Sequence, residues 1–495
     1  MSAPPWTLAL AVALPLAVAY LILAPPAGDL AAATYRSDLF ARVGFSTWDT
    51  GWYSAHGYWL PSYSLLSPAL GALLGVRLLL ALSALAASAL FALIAERAFD
   101  SAAARIAAAW FALGFGIGLL SGRVPYDLGF ALGLAAVYAL MCNALATALA
   151  LAVLTSFASP VAGAFLGLAG LAMALGDLQV VRARGTALSL PHMEGSPRAG
   201  DSPSRRYTAS NRARWAAPGE PSAQGDSWRS VALWRGVALC AAALIPVLAL
   251  GIAYPDGGYE PFAASAFWPA LAGVLLIGLL LPQGPLTVRG RSMLRVGAAL
   301  YALALIGAYA IHTPAGGNVT RLGTLLAAPL LAGVLWEKQR VALLVLAPLL
   351  LYWQLATPVR DYSSIAGDPS VHTSYYAPVL TELQRLRRGR PTIVEVPMTA
   401  AHWESAYLAG HDGVELARGW ERQLDTRYAA IFYRKTLSPQ AYRAWLAENR
   451  VVYVALPDAP LDKAGSLEGK LVAHGLPYLR ELWHSEHWRL YRVMG

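Results

Sequence analysis

Long apolar runs separated by short polar breaks fill the first 357 residues. A bilayer span needs about 20 mostly apolar residues. Runs near 6–24, 76–95, 104–120, 126–141, 144–157, 161–177, 233–253, 265–281, 295–311, 322–336 and 341–357 predict about eleven such helices. Residues 358–495 follow another pattern, in which charges become frequent and the long runs stop. There "PTIVEVPM" (391–398) and "VVYVALPD" (451–458) predict short buried strands that end at Pro. "SPQAYRAWLAEN" (438–449) has a Ser-Pro start and helical apolar spacing, and "HWRLYRVM" (487–494) predicts a last strand. The expected fold is an α-helical polytopic membrane protein: a bundle over 1–357, then a small α/β domain over 358–495.

Composition agrees. The chain is 57% hydrophobic and 14% charged, with mean hydropathy +0.47, whereas soluble domains carry about 25% charged residues. The net charge is +9, and no lysine precedes Lys338. Such arginine use fits a GC-rich bacterial genome. No basic residue precedes the first run, so the charged start of a cleaved signal peptide is missing and 6–24 is expected to remain as a span. The segment 179–232 is rich in Arg, Ser, Pro and Gly, without apolar periodicity, and is expected to be a disordered loop. Its arginines place it in the cytoplasm by the positive-inside rule, which accounts for the basic charge without a nucleic-acid partner. Alternating spans then put the N-terminus inside the plasma membrane. They put 25–63, "SGRVPYD", "YPDGGYEPF", "IHTPAGGNVTR" and the C-terminal domain outside. Cys142 and Cys240 lie in apolar runs and are expected to be buried thiols.

The first outer segment carries the densest chemistry. "FSTWDTGWYSAHGYWLPSYSLL" (45–66) holds one acid, one histidine and seven aromatic residues. Interfacial anchoring explains Trp52, Tyr58, Trp59 and Tyr63, because Trp and Tyr rings settle at headgroup level. It does not explain Asp49, since a carboxylate beside rings at a bilayer surface is costly unless solvated, paired or used. Asp38, Arg36 and Arg42 precede it in "YRSDLFAR".

This stretch resembles the GT-C superfamily of membrane glycosyltransferases. "WDTGWYSAHGY" is similar to the W-D-x-x-x-Y pattern of the mannosyltransferases that add the second mannose to GPI anchors, and "PSYSLLSPALGALL" to the run before their second span. The likeness covers about thirty residues, and the overall plan agrees with that family. "HWESAYLA", "ARGWERQLD" and "YVALPDAPLD" are also similar to actinobacterial membrane proteins, a resemblance that implies no activity. The GT-C resemblance implies a polyprenyl-phosphate-linked sugar donor (mannose or arabinose), a glycan or lipid acceptor outside the cytoplasm, and a first-loop acid as general base. Asp49 fits that position, with Asp38 second. Many members have two adjacent acids in this loop and this chain has none, so no metal or other cofactor is implied.

A phosphate leaving group calls for arginine, which is always charged and binds two oxygens at once. Arg123 in "SGRVPYD" and Arg321 in "GGNVTRLG", with Asn318 beside it, fall at outer span ends, and Arg36 and Arg42 are nearby candidates. Each could instead snorkel to lipid headgroups. His56, Trp48, Trp52 and Tyr53 could bind an acceptor sugar, or serve only as anchors. His402, Trp403, Glu404, Arg418, Trp420, Glu421 and Arg422 could line a sugar groove, or simply build the domain. Two rival readings are a transporter or lipid flippase, which predicts charges at mid-span and repeats, and a non-catalytic scaffold with an outer binding domain.

Overall fold

The computed structural model describes residues 3–188, 225–255, 257–280, 288–411 and 413–494. The N-terminal part consists of helices α1 (Pro5–Leu23), α2 (Gly28–Val43), α3 (Ser67–Leu74), α4 (Val76–Ala98), α5 (Ser101–Gly118), α6 (Val124–Met141), α7 (Leu145–Ala158), α8 (Pro160–Leu188), α9 (Gly225–Ala253), α10 (Ala264–Leu280), α11 (Val288–Ala310), α12 (Thr320–Leu335) and α13 (Arg340–Ser363). Among the described residues nine helices are long and apolar enough to cross a membrane; α7 and α10 are shorter and apolar. Together they occupy the eleven positions read from the apolar runs. Their contacts rely on small side chains, as expected where lipid supplies no hydrophobic drive between helices. Ala9, Ala13, Ala92, Ala108 and Ala112 form one buried cluster of α1, α4 and α5, beside stacked Phe91 and Phe111, 4.2 Å apart.

The helices α8 and α9 run into both ends of the Arg-rich segment expected to be disordered, and 189–224 lie outside the described residues. Cys142 is exposed rather than buried, because α6 ends one residue before it, and Cys240 is half-buried.

The segment 25–63 is not a plain loop. Pro25 and Pro26 follow the end of α1, and α2 then starts with Asp29 in its first turn and Arg42 in its last, charges that suit the helix dipole. A short antiparallel pair follows, β1 (Trp48–Asp49) with β2 (Tyr58–Trp59).

Residues 364–494 form the α/β domain. It contains α14 (Thr373–Arg387), β3 (Thr392–Glu395), α15 (Glu404–Tyr407), β4 (Val414–Leu416), α16 (Arg422–Tyr428), α17 (Pro439–Glu448), β5 (Tyr453–Pro457), α18 (Ser466–Ala473), β6 (Leu479–His484) and β7 (Trp488–Val493). The sheet order is β4-β3-β5-β7-β6. β3 runs parallel to β4 and β5, while β7 is antiparallel to β5 and β6. The Ser438 hydroxyl accepts the Ala441 N–H and caps α17, as the Ser-Pro start predicts.

Candidate active site

Two arginines meet at one carboxylate where the bundle faces the domain. Asp29 Oδ2 lies 3.5 Å from Arg123 Nε and 3.9 Å from Arg321 Nη2. Arg123 Nη2 also lies 3.3 Å from Asp361 Oδ2, and Ser121 Oγ donates to the same oxygen at 2.9 Å. Neither Arg123, Arg321 nor Asp29 is sealed, with side chains 23, 22 and 29% exposed.

Local chain geometry explains this convergence. Gly122, at φ 71°, makes the turn between α5 and α6, and a Cβ there would fall 2.8 Å from Ala27 Cβ and 3.0 Å from the Leu30 backbone nitrogen. Only glycine lets this turn seat against the start of α2, which brings Arg123 to Asp29. Gly316, at φ 39°, likewise sits where a side chain would collide with the Glu260 carbonyl, so the loop after α11 packs on the loop after α9 ahead of Arg321. The Arg321 guanidinium lies 5.4 Å from the Tyr126 ring centroid. Asp127, in the first turn of α6, is 6% exposed and has Arg123, Arg321 and Asp29 as charged neighbours. Glu260 completes the rim: burial pushes its carboxyl up, against the pull of Arg422 and Arg321.

The domain closes over this cluster. Trp420 Nε1 donates to the Gly28 carbonyl at 3.0 Å. The Thr426 hydroxyl donates to Tyr259 O at 3.1 Å, and Gln423 Nε2 to Pro314 O at 3.4 Å. His402 Nε2 and Arg422 Nη2 each lie 3.5 Å from Asp462 Oδ2.

The other sequence candidates are placed differently. Asp49 Oδ2 accepts the Tyr35 hydroxyl at 2.8 Å and the Gly51 N–H at 3.2 Å. Asp38 is exposed on α2, and its carbonyl accepts from Arg42 Nε at 3.4 Å. The segment after β1 lies along β4: Leu416 N donates to Gly51 O at 2.9 Å and Ser54 N donates to Leu416 O at 3.0 Å. Trp52 is fully buried, stacked between Tyr35 and Tyr58, with its indole N–H on Ser405 O at 2.8 Å. The Tyr53 hydroxyl reaches Glu421 O at 2.6 Å and Gly419 O at 2.9 Å. His56 stacks on Tyr428, with centroids 4.3 Å apart, and Trp48 meets Trp59 edge-on. Arg42 Nη1 donates to Gly410 O at 2.5 Å.

Arg36 is buried and paired with buried Glu421, its guanidinium 3.9 Å from the Tyr63 ring centroid. Burial works against its charge, but Glu421 with Tyr58 and Tyr63 outweighs this and leaves the arginine pKa raised. Most of the first-loop motif therefore fastens bundle to domain. Asn318 is half-buried in the turn before α12.

The structure thus joins Arg123 and Arg321, and adds Asp29, Asp361 and Asp127, which the sequence reading did not single out. Asp29 stands in "LILAPPAGD" just after the first apolar run, where nothing local marks it as a site residue. Among the described residues no group of three or more His, Cys, Asp or Glu is arranged to hold a metal ion.

No protein-family model and no curated protein sequence matches the chain. Among solved structures it is similar to an Archaeoglobus fulgidus oligosaccharyltransferase tethered with an acceptor peptide containing the NVT sequon. The TM-score is 0.48 at 13% identity, over 92% of this chain and 69% of the other. It is also similar to the archaeal oligosaccharyltransferase AglB from Archaeoglobus fulgidus in complex with an inhibitory peptide and a dolichol-phosphate, at TM-score 0.45 and 12% identity, over the same shares. Likeness this distant carries no argument about activity.

Proposed function

We propose that the protein is a membrane glycosyltransferase that moves a sugar from a polyprenyl-phosphate donor to a glycan or lipid acceptor outside the plasma membrane. The observation that carries this reading is the single carboxylate of Asp29 facing Arg123 and Arg321 at a partly open junction of bundle and domain. Transfer breaks the bond between the anomeric carbon and the phosphate oxygen and forms one to the acceptor oxygen. Asp29 takes the acceptor proton, in preference to Asp49, whose carboxylate already holds Tyr35 and Gly51. Arg123 and Arg321 take the charge that grows on the leaving phosphate. The first-loop resemblance makes mannose or arabinose the sugars to try first.

The test is transfer by reconstituted protein supplied with radiolabelled polyprenyl-phosphate sugars and cell-envelope acceptors. Asp29→Asn is expected to lower the rate by about a hundredfold or more, the scale of a lost general base, while Asp49→Asn retains most of it. The reverse pattern returns the base to Asp49. No transfer from any donor by folded protein removes the glycosyltransferase reading and favours a transporter or scaffold.

A further inference from the structure

Asp29 lies within ion-pair distance of both arginines without a hydrogen bond to Arg123 Nε, a loose pairing that another anion can replace. Both guanidinium groups approach the same oxygen, Oδ2, from the α5–α6 turn and from α12. An acceptor hydroxyl offered to Asp29 therefore meets a carboxylate oxygen already turned to two cations. A phosphate arriving at Arg123 and Arg321 competes for those same cations, and arginine binds phosphate oxygens in pairs. Arg123 is not free to follow the phosphate wherever it goes, since its Nη2 is held 3.3 Å from Asp361 Oδ2. Asp361 is itself fixed by the Ser121 hydroxyl at 2.9 Å, across α13 and the α5–α6 turn.

Resting on the glycosyltransferase reading above, we infer that the donor phosphate releases the base. Asp29 is engaged by Arg123 and Arg321 until a phosphodiester displaces it, after which its carboxylate turns to the acceptor. Asp361 is the positioning residue that keeps Arg123 at the site during this exchange. Binding is then ordered, donor before acceptor, and the base is uncovered only while a phosphate occupies the arginines. No covalent bond changes in this exchange; one ion pair replaces another, and the acceptor proton moves to Asp29 only in the transfer that follows.

The exchange predicts an effect opposite to that of an ordinary binding residue. Removing the Asp29 charge should tighten phosphate binding, because the competitor for the arginines is gone. The experiment measures farnesyl phosphate binding to the full chain in detergent by calorimetry, alongside sugar transfer. Asp29→Asn is expected to bind farnesyl phosphate about tenfold more tightly than wild type, about 1.4 kcal/mol, while losing transfer. Asp361→Asn is expected to bind it several-fold more weakly, with transfer at saturating donor closer to wild type than at low donor. Asp29→Ala also removes the carboxylate and serves if the asparagine variant does not fold. Loss of transfer with unchanged or weaker binding in both Asp29 variants overturns the exchange and leaves Asp29 as base. Retained transfer in those variants overturns the base assignment itself.

Discussion

Arg418 lies buried in the C-terminal domain among three carboxylates. Its Nε and Nη2 donate to the two oxygens of Asp425 at 2.9 and 2.7 Å, and its Nη1 donates to Glu468 Oε2 at 3.1 Å and lies 3.7 Å from Glu395 Oε1. The Tyr442 hydroxyl donates to Glu468 at 2.8 Å, and the Tyr433 hydroxyl to Asp425 at 2.8 Å. One cation cannot balance three buried anions, and Glu395 carries the consequence. Burial pushes its carboxyl well above the usual range and Glu468 adds to this, against the pull of Arg418. A raised folded-state value means that folding favours the protonated acid. The stability this contributes is fully present below the unfolded value of about 4.3 and is lost as pH rises through the folded value. Glu395→Gln keeps the shape and removes the titration. It is expected to melt higher than wild type at pH 8 and to narrow the difference in melting temperature between pH 5 and pH 8. Each unit of folded-state shift corresponds to about 1.4 kcal/mol. Equal pH dependence in variant and wild type would place the retained proton elsewhere in the cluster. The "ARGWERQLD" segment that suggested a sugar groove is thus divided: Arg418 and Asp425 build the domain core, while Trp420 and Glu421 face the bundle.

At the scale of elements, the decisive contact is between α2 with its following hairpin and the β4 edge. Arg36 on α2 is 3% exposed and Glu421, just before α16, is 6% exposed. Removing one partner of such a pair leaves a buried charge and costs about 3–5 kcal/mol, whereas replacing both by apolar groups is often neutral. Glu421→Ala is therefore expected to lower the melting temperature and to open the 44–66 segment to protease, and Arg36→Met with Glu421→Leu to restore most of the loss. Recovery absent from the double variant would mean that these side chains hold more than each other. This contact also shows where sequence reading reaches and where it stops. β3, β5 and α17 were legible because each carries its own pattern, an apolar run closed by Pro or a Ser-Pro cap, and β7 because Trp, Tyr and Val are strand formers. β4 has three residues, and its place comes from β3 and the Gly51–Ser54 backbone, which no local pattern reveals. α2 leaves no span signature because it is short and its buried residues include Arg36 and Ser37. Arg123 and Arg321 were legible as cations at span ends. Asp29 was not, because its partners lie about one hundred and three hundred residues away in the chain.

For the whole molecule, the two ends of the helical bundle differ chemically. Asp29, Arg123, Arg321, Asp361 and the α/β domain share one end. At the other, Arg289 pairs with Asp177 through contacts of 2.5 and 2.7 Å, Arg235 donates to Asn143 at 2.7 Å, and Arg97 Nη2 lies 3.5 Å from Cys142 Sγ. By the positive-inside rule, arginines at that second end, with those of the sequence 189–224, predict a cytoplasmic second end and an Asp29 cluster outside. A lipid-linked donor used outside the cytoplasm requires this sidedness. The exposed thiol of Cys142 tests it directly. In a Cys240→Ser background, a membrane-impermeant maleimide is expected to label Cys142 in inside-out vesicles and not in right-side-out cells. With Cys142 also replaced by Ser, Glu486→Cys, an exposed position between β6 and β7, should show the opposite. Labelling of Cys142 from outside would turn the bundle over and put Asp29, both arginines and the domain in the cytoplasm. In that case the donor and acceptor would have to be cytoplasmic molecules, and the proposed reaction would fail on location before any question of chemistry arose.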